Sequence, residues 1–232
     1  MIAVMQPYIF PYLGYFQLIM ASDIFVLFDD VNYIKKGYIN RNSILFNNCA
    51  HRFTLPVLNV SQNKHINEHY FSTETDSFFK TLKMAYCKAP YYKDVICIVE
   101  KVLLSEEKKV SVVCFNAIKE ILQYIGIDKK VICSSTINYD RSCGAADKII
   151  SITKILKNKD YVNAIGGRNL YDTQYFNQME LNLYFLKMNE IFYTQGKVNA
   201  EFVPNLSILD ALMWLSPSTV RDLLQQYSLV QE

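Results

Sequence analysis

Short apolar runs alternate with polar breaks along this chain, and the first breaks carry the prolines. Ile2 to Met5 is continuously apolar and stops at Gln6-Pro7, which predicts a buried strand. Pro7 and Pro11 bar a regular helix across Tyr8 to Leu13. Gly14 to Ala21 is helix-permissive and ends before Ser22-Asp23, and Ile24 to Phe28 is a second apolar run. Strand, loop, helix and strand in this short space predict a βαβ unit, hence a parallel sheet with a right-handed crossover. Beyond Asp29-Asp30, Val31 to Asn42 is a polar loop, Arg52 to Val57 a strand with Pro56 near its end, and Asn59 to His69 a loop.

The middle of the chain changes period. Thr75 to Tyr86, Tyr92 to Leu104 and Ser111 to Tyr124 place apolar residues at helical offsets, with Ala89-Pro90 and Gly126 as breaks. Strands and helices then alternate again. Lys130 to Cys133 predicts a strand, Ser134 to Cys143 an exposed polar stretch, and Ala145 to Leu156 a helix with Ile149, Ile150, Ile152 and Ile155 inward. Tyr161 to Ile165 predicts a strand running into Gly166-Gly167, and Tyr171 to Phe176 the start of a helical segment. Leu183 to Leu186 predicts a strand, Ser207 to Leu215 a helix with Asp210 inside it, and Ser218 to Gln226 a last helix. The pattern predicts one α/β domain over 1–232, a mostly parallel Rossmann-like sheet flanked by helices. The helix-rich stretch 70–125 is expected to be an insertion or lid.

Composition narrows the classes. Of 232 residues 51% are apolar, with 7 Gly and 6 Pro, which excludes a disordered or loop-rich chain. The net charge is +2 and the basic residues are scattered, so no nucleic-acid polymer is expected as partner. No apolar run reaches the roughly 18 residues of a membrane span. The start MIAVMQPYIF lacks a basic n-region, which predicts a mature, cytoplasmic segment. Six cysteines without a CxxC pair are expected to be reduced thiols, and the histidines, His51, His65 and His69, have no metal-site spacing. Seventeen Tyr and fourteen Phe stand against one Trp. That surplus suits stacking on a base or sugar, and equally follows from an AT-rich coding bias.

Open α/β sheets bind ligands beyond the carboxyl ends of their strands. That rule selects Gln6 and Tyr8 after the first strand, as neutral hydrogen-bonding groups or as turn chemistry. It selects Asp29 and Asp30 after the second, as groups that take a proton from an amine, hold a ribose or bind a metal, or as a solvated turn. Gly14 at a helix start would let a phosphate approach the backbone, or would serve close packing. Tyr33, Lys35, Lys36, Asn40, Arg41 and Asn42 form a donor-rich loop in which Arg41 could grip a phosphate. Ser135-Thr136 and Gly166-Gly167-Arg168-Asn169 form a second candidate anion site, the glycine pair as a backbone nest. Cys143 beside Gly144 before a helix is a weaker nucleophile candidate without a histidine near in sequence.

The run MQPYIFPYLGYFQLIMASDIFVLFDDVNYIKKGYINRN resembles the signature of the WbqC-like family: a QPxYxPxxGYF start, a D-x-F-V-x-x-D-D strand and an RN pair after a lysine-bearing loop. YCKAPYY, YVNAIGGRNLYD, the YTQ at Tyr193 to Gln195 and FVPNLSILDAL follow in the family's order. The resemblance implies a role in bacterial surface-polysaccharide (O-antigen) synthesis, with acyl transfer onto the amino group of a nucleotide-linked deoxy-amino sugar. In that reading Asp29 or Asp30 is the general base and Lys35 joins them in the chemistry. Arg41 with Lys35 or Lys36 holds the diphosphate, and Tyr8, Tyr12 and Tyr15 line the pocket. Gln6, Gly14, Tyr33, Asn40, Asn42, Gly166, Gly167 and Tyr171 complete the binding set. The cofactor is undetermined: an acyl-CoA or other acyl thioester donor, or ATP with Mg. The opening also resembles, faintly, the HIGH-class nucleotidylyltransferases and pantothenate synthetases, which implies an ATP-dependent amide ligase. It departs from them in having no histidine before His51. A third reading is a non-catalytic partner that binds a nucleotide sugar, and a homodimer is admitted in each.

Overall fold

The structure, a computed structural model, describes residues 1–196 and 201–231. Six strands form the central sheet: β1 (Ile2–Met5), β2 (Ile24–Leu27), β5 (Lys130–Cys133), β6 (Asp160–Ala164), β7 (Asn182–Met188) and β8 (Tyr227–Gln231). Their order is β5-β2-β1-β6-β7-β8, parallel throughout except for the antiparallel β7–β8 pair. Counted along the chain, the parallel strands lie third, second, first, fourth and fifth, the doubly wound order. The predicted α/β class and mostly parallel sheet are what the chain adopts.

The pleat sends successive side chains to opposite faces. Ala3, Phe25, Leu27, Val162 and Leu186 join one apolar core, whereas Ile2, Val4, Val26, Tyr161, Leu183 and Phe185 join another. The first core packs against α1 (Leu13–Ala21), α4 (Val110–Tyr124), α7 (Ile208–Trp214) and α8 (Pro217–Leu223). The second packs against α5 (Ala145–Ile155) and α6 (Thr173–Gln178). The helices expected as an insertion, α2 (Asp76–Tyr86), α3 (Tyr92–Leu103) and α4, put Phe78, Leu82, Val99 and Ile118 into the same core as α1.

Three sequence expectations are corrected. The loop to Asn42 gives way at Arg41 to a hairpin, β3 (Arg41–Phe46) and β4 (Cys49–Thr54), so the second segment begins and ends three residues earlier than expected. Asn47 and Asn48 both take positive φ, the conformation a two-residue hairpin turn requires. The last helix closes at Leu223, and Tyr227–Gln231 continues as an edge strand paired with β7. The stretch from Ser134 to Cys143 is not wholly exposed. Ser134, Ile137 and Tyr139 are buried, because Ser134 follows β5 directly and Ile137 and Tyr139 enter the second core.

Candidate functional site

The strand order reverses at β1, so the crevice of a doubly wound sheet falls between β1 and β6, at their carboxyl ends. Four strand ends meet this edge. Gln6 follows β1, Asp29 and Asp30 follow β2, Ser134 and Ser135 follow β5, and Gly166 and Gly167 follow β6. The amide of Phe28 donates to the Met5 carbonyl at 2.8 Å, so β1 and β2 stay paired up to the rim. Gln6 and Asp29 therefore leave from neighbouring positions.

The two carboxylates are buried and hydrogen-bonded by their own chain. Asp29 accepts from the Ser135 amide at 3.0 Å, the Ser135 hydroxyl at 2.9 Å and the Ser134 hydroxyl at 3.2 Å. Asp30 accepts from the Tyr139 hydroxyl at 2.8 Å, from Ser134 Oγ, and from Arg141 Nε at 2.7 Å. Arg141 also donates through Nη1 and Nη2 to the carbonyls of Tyr139 at 3.2 Å and Ile137 at 3.0 Å, and its guanidinium lies over the Tyr139 ring. The pair thus anchors the 134–141 loop onto β2 and builds a fixed anionic shelf. Asp30 is 4% exposed at its side chain and Arg141 39%, so the shelf opens to solvent on the arginine side. Burial and the neighbouring acid pair push the Cys133 thiol up to about 12, which leaves it protonated and inert.

On the other flank stand tyrosines. The Tyr8 ring lies 5.9 Å from Tyr38 and 5.6 Å from Tyr15. Burial raises the pKa of Tyr8 and of Tyr12, and the neighbouring Tyr38 hydroxyl raises both further. The three phenols therefore crowd one place, near the end of β1. Tyr15 is different: it is fully buried and donates to the Gln6 carbonyl at 2.9 Å, which fixes the strand end from below. The loop from Val31 to Asn40 reaches this flank, since Ile9 N donates to the Ile39 carbonyl at 3.1 Å.

The remaining expected residues sort by what they touch. Lys35 and Lys36 are exposed on the loop. Arg41 Nε donates to the Gly37 carbonyl at 2.7 Å, and Asn40 donates to the Leu55 carbonyl at 2.8 Å. Buried Asn42 donates to the Phe10 carbonyl at 2.9 Å, and buried Tyr33 packs its ring 4.6 Å from His69. These contacts make Arg41, Asn40 and Asn42 ties between the hairpin, the loop and the segment after β1, and Tyr33 a tie between the loop and the chain at His69. Gly166 has open space beside its Cα, whereas a side chain at Gly167 would meet the Asn163 amide. Tyr171 packs edge-on against Tyr161 and Phe176, on the second core.

Gly14 is buried, and a Cβ there would run into Met188 Sδ and come within 2.5 Å of Tyr12 Cε2. Close packing accounts for the glycine. Gly14→Ala is expected to destabilise the fold by about 1–3 kcal/mol, a drop of several degrees in Tm by differential scanning calorimetry. An unchanged Tm would leave ligand approach as the reason for this glycine.

Ser134, Tyr139 and Arg141 are the site residues that sequence reasoning missed. They lie about 105 to 111 positions from the carboxylates they serve. Only the neighbouring of β5 and β2 brings them together. Their one legible signal was a strand followed by Ser-Ser-Thr.

The chain is thus a Rossmann-like α/β protein whose doubly wound sheet carries an anchored acid pair and a phenol cluster at its switch-point edge. The sequence profile described as the WbqC-like protein family matches residues 6–222, and the chain belongs to that family. It is 22% identical over 215 residues to the uncharacterized protein Rv1507c of Mycobacterium tuberculosis, covering 91% of this chain and 92% of that one. No solved structure matches the chain. Among the described residues, no helix is long and apolar enough to cross a membrane, and no group of three or more His, Cys, Asp or Glu could hold a metal ion.

Proposed function

We propose that the protein is a transferase of bacterial surface-polysaccharide synthesis that acylates the amino group of a nucleotide-linked deoxy-amino sugar. The observation that carries this reading is the pairing, on one sheet edge, of buried carboxylates after β2 with a phenol cluster after β1. A sugar amine attacking an acyl carbon must lose a proton as the C–N bond forms. With a thioester donor the C–S bond breaks, and the thiolate leaves and is protonated. Asp30 is the assigned base because it sits on the solvent side of the shelf, and Asp29 holds Ser134 and Ser135 beside it. The phenol hydroxyls of Tyr8, Tyr12 and Tyr38 supply hydrogen bonds to sugar hydroxyls.

The test is incubation with a deoxy-amino nucleotide sugar and an acyl thioester, or a free acid with ATP and Mg, followed by mass spectrometry. A mass gain of one acyl group is expected. A product only in the ATP arm would assign the ligase variant instead. In the active arm, Asp30→Asn is expected to lower kcat by about 10²–10⁴, the range of a lost general base. Full turnover in both Asp29→Asn and Asp30→Asn would end the assignment.

A second reading has its own observation. Every oxygen of the acid pair already accepts a bond from the chain, so Asp30 must release Tyr139, Ser134 or Arg141 to take a proton. That favours a non-catalytic carrier of the nucleotide sugar. Tight binding by calorimetry with no covalent product under any donor would select it.

A further inference from the structure

Beyond the end of β7, a cleft of about 350 Å³ opens, lined among others by Tyr12, Glu190, Phe192, Tyr193, Phe202 and Asn205. The volume lies at the low end of the roughly 300–1,000 Å³ of small-molecule clefts, room for one ring or two. Its described lining includes the Glu190 side chain and no Lys, Arg or His, so among the described residues the charge on the cleft favours a cation over an anionic phosphate. Among the described residues Glu190 makes no ion pair.

The aromatic wall is a corner. Phe202 lies 5.4 Å from Phe192 and 5.2 Å from Tyr193, at interplanar angles of 67° and 77°. A flat base is best received between parallel faces. Perpendicular rings suit a saturated ring, whose C–H bonds meet one face while its polar groups turn away. An ammonium near these faces would gain cation–π attraction as well as the Glu190 charge.

The wall is also held from behind, which marks it as built. Tyr193 donates its hydroxyl to Asp210 Oδ2 at 2.8 Å, and Gln195 Nε2 donates to the same oxygen at 2.9 Å. Gln195 clamps Val203 in both directions, accepting its amide at 2.8 Å and donating to its carbonyl at 2.9 Å. Both sides of the cleft are thereby tied to one fully buried carboxylate. Tyr12 belongs to this wall and immediately precedes α1, in the segment that leaves the end of β1, so the cleft lies beside that segment.

From these features we infer that the cleft is a subsite for an amine-bearing sugar ring, with the phosphates of any nucleotide carrier lying outside it. The inference deepens the proposed function by assigning the sugar end, yet it can stand or fall alone.

Saturation-transfer NMR titrations of the full chain with methyl glucosaminide, and separately with thymidine diphosphate, test it. Phe192 is 70% exposed and Glu190 is exposed, so Phe192→Ala and Glu190→Gln leave the core untouched. Each variant is expected to weaken the glucosaminide at least tenfold and to leave the diphosphate unchanged. Absence of saturable glucosaminide binding to the wild type would overturn the inference. So would wild-type affinity in either variant, or a loss of diphosphate binding in Phe192→Ala, which would make the corner a base seat. Glucosaminide binding without any acylated product in the mass-spectrometric test would leave the subsite standing and remove the reaction.

Discussion

Asp210→Ala is expected to cost roughly 3–5 kcal/mol of folding stability, a fall of about 10 °C in Tm. Asp210 is completely buried on α7 and is the hub of a network that joins distant parts of the chain. Tyr86 of α2 donates to its Oδ1 at 2.7 Å, while Tyr193 and Gln195 share Oδ2. Tyr86 in turn accepts from the Leu45 amide of β3 at 2.9 Å. Alanine removes the acceptor that Tyr86 and Tyr193 share and strands the buried Tyr86 hydroxyl, while Tyr193, on the cleft wall, loses its anchor. Each stranded polar group costs about 1–3 kcal/mol, and the vacated volume adds to that. A loss under 1 kcal/mol by urea unfolding would mean that the network rearranges without the carboxylate.

The same residue carries a pH signature. Burial raises the Asp210 carboxyl above its ordinary value, although hydrogen bonds from Tyr86, Tyr193 and Gln195 favour the ion and oppose the rise. The native state therefore holds a proton that the unfolded chain has released, over the pH window between the unfolded value, about 3.9, and the native one. Stability from this group is present below that window and is lost as pH rises through it. Asp210→Asn carries no charge at any pH. The stability advantage of wild type over Asp210→Asn is accordingly expected to shrink from acid toward neutral pH in urea titrations. A gap that widens with pH would show the carboxyl to be lowered instead.

What was legible in the chain follows from periodicity. β1 and β2 emerged nearly at their true bounds because largely buried strands are unbroken apolar runs. β5 emerged from the run Val131 to Cys133 although it is an edge strand with only Val131 buried, and α5 from an apolar stripe of which Ile155 is exposed. Strand ends could then be named, and with them Gln6, Asp29 and Asp30. The hairpin was hidden because β4 is mostly exposed and β3 carries only half an alternation. Asn47-Asn48, with both residues at positive φ, was its readable sign. β8 was hidden because four of its five residues are exposed, so pairing with β7 decides its form. Function was less legible. Arg41 reads as a phosphate clamp from the sequence, and in the fold its Nε also serves the Gly37 carbonyl, a tie that nothing local to the sequence announces. Asp210 stood out as one acid inside the apolar ILDALMW helix, a costly placement that signals a partner without naming it.

Arg141→Ala is the second large effect, and it separates the anchoring role of the acid pair from its proposed chemistry. Removing the arginine strands the Asp30 carboxylate, 4% exposed, with only the Tyr139 and Ser134 hydroxyls. It also frees the carbonyls that Arg141 gathers from Tyr139 and Ile137. A broken buried pair costs about 3–5 kcal/mol. Solvent on the Arg141 side reduces this to roughly 1–3 kcal/mol. Asp30→Asn should cost less, since it removes the buried charge along with the bond and leaves an arginine that can turn to water. The double-mutant cycle between the two is therefore expected to show coupling of about 1–2 kcal/mol. Catalysis orders the variants the other way. With Asp30 retained, Arg141→Ala frees the oxygen that a substrate amine would need, so turnover per folded molecule should fall less than in Asp30→Asn. Equal losses of turnover, with equal losses of stability, would reduce the shelf to a structural clasp and move the search for the base to the phenol flank.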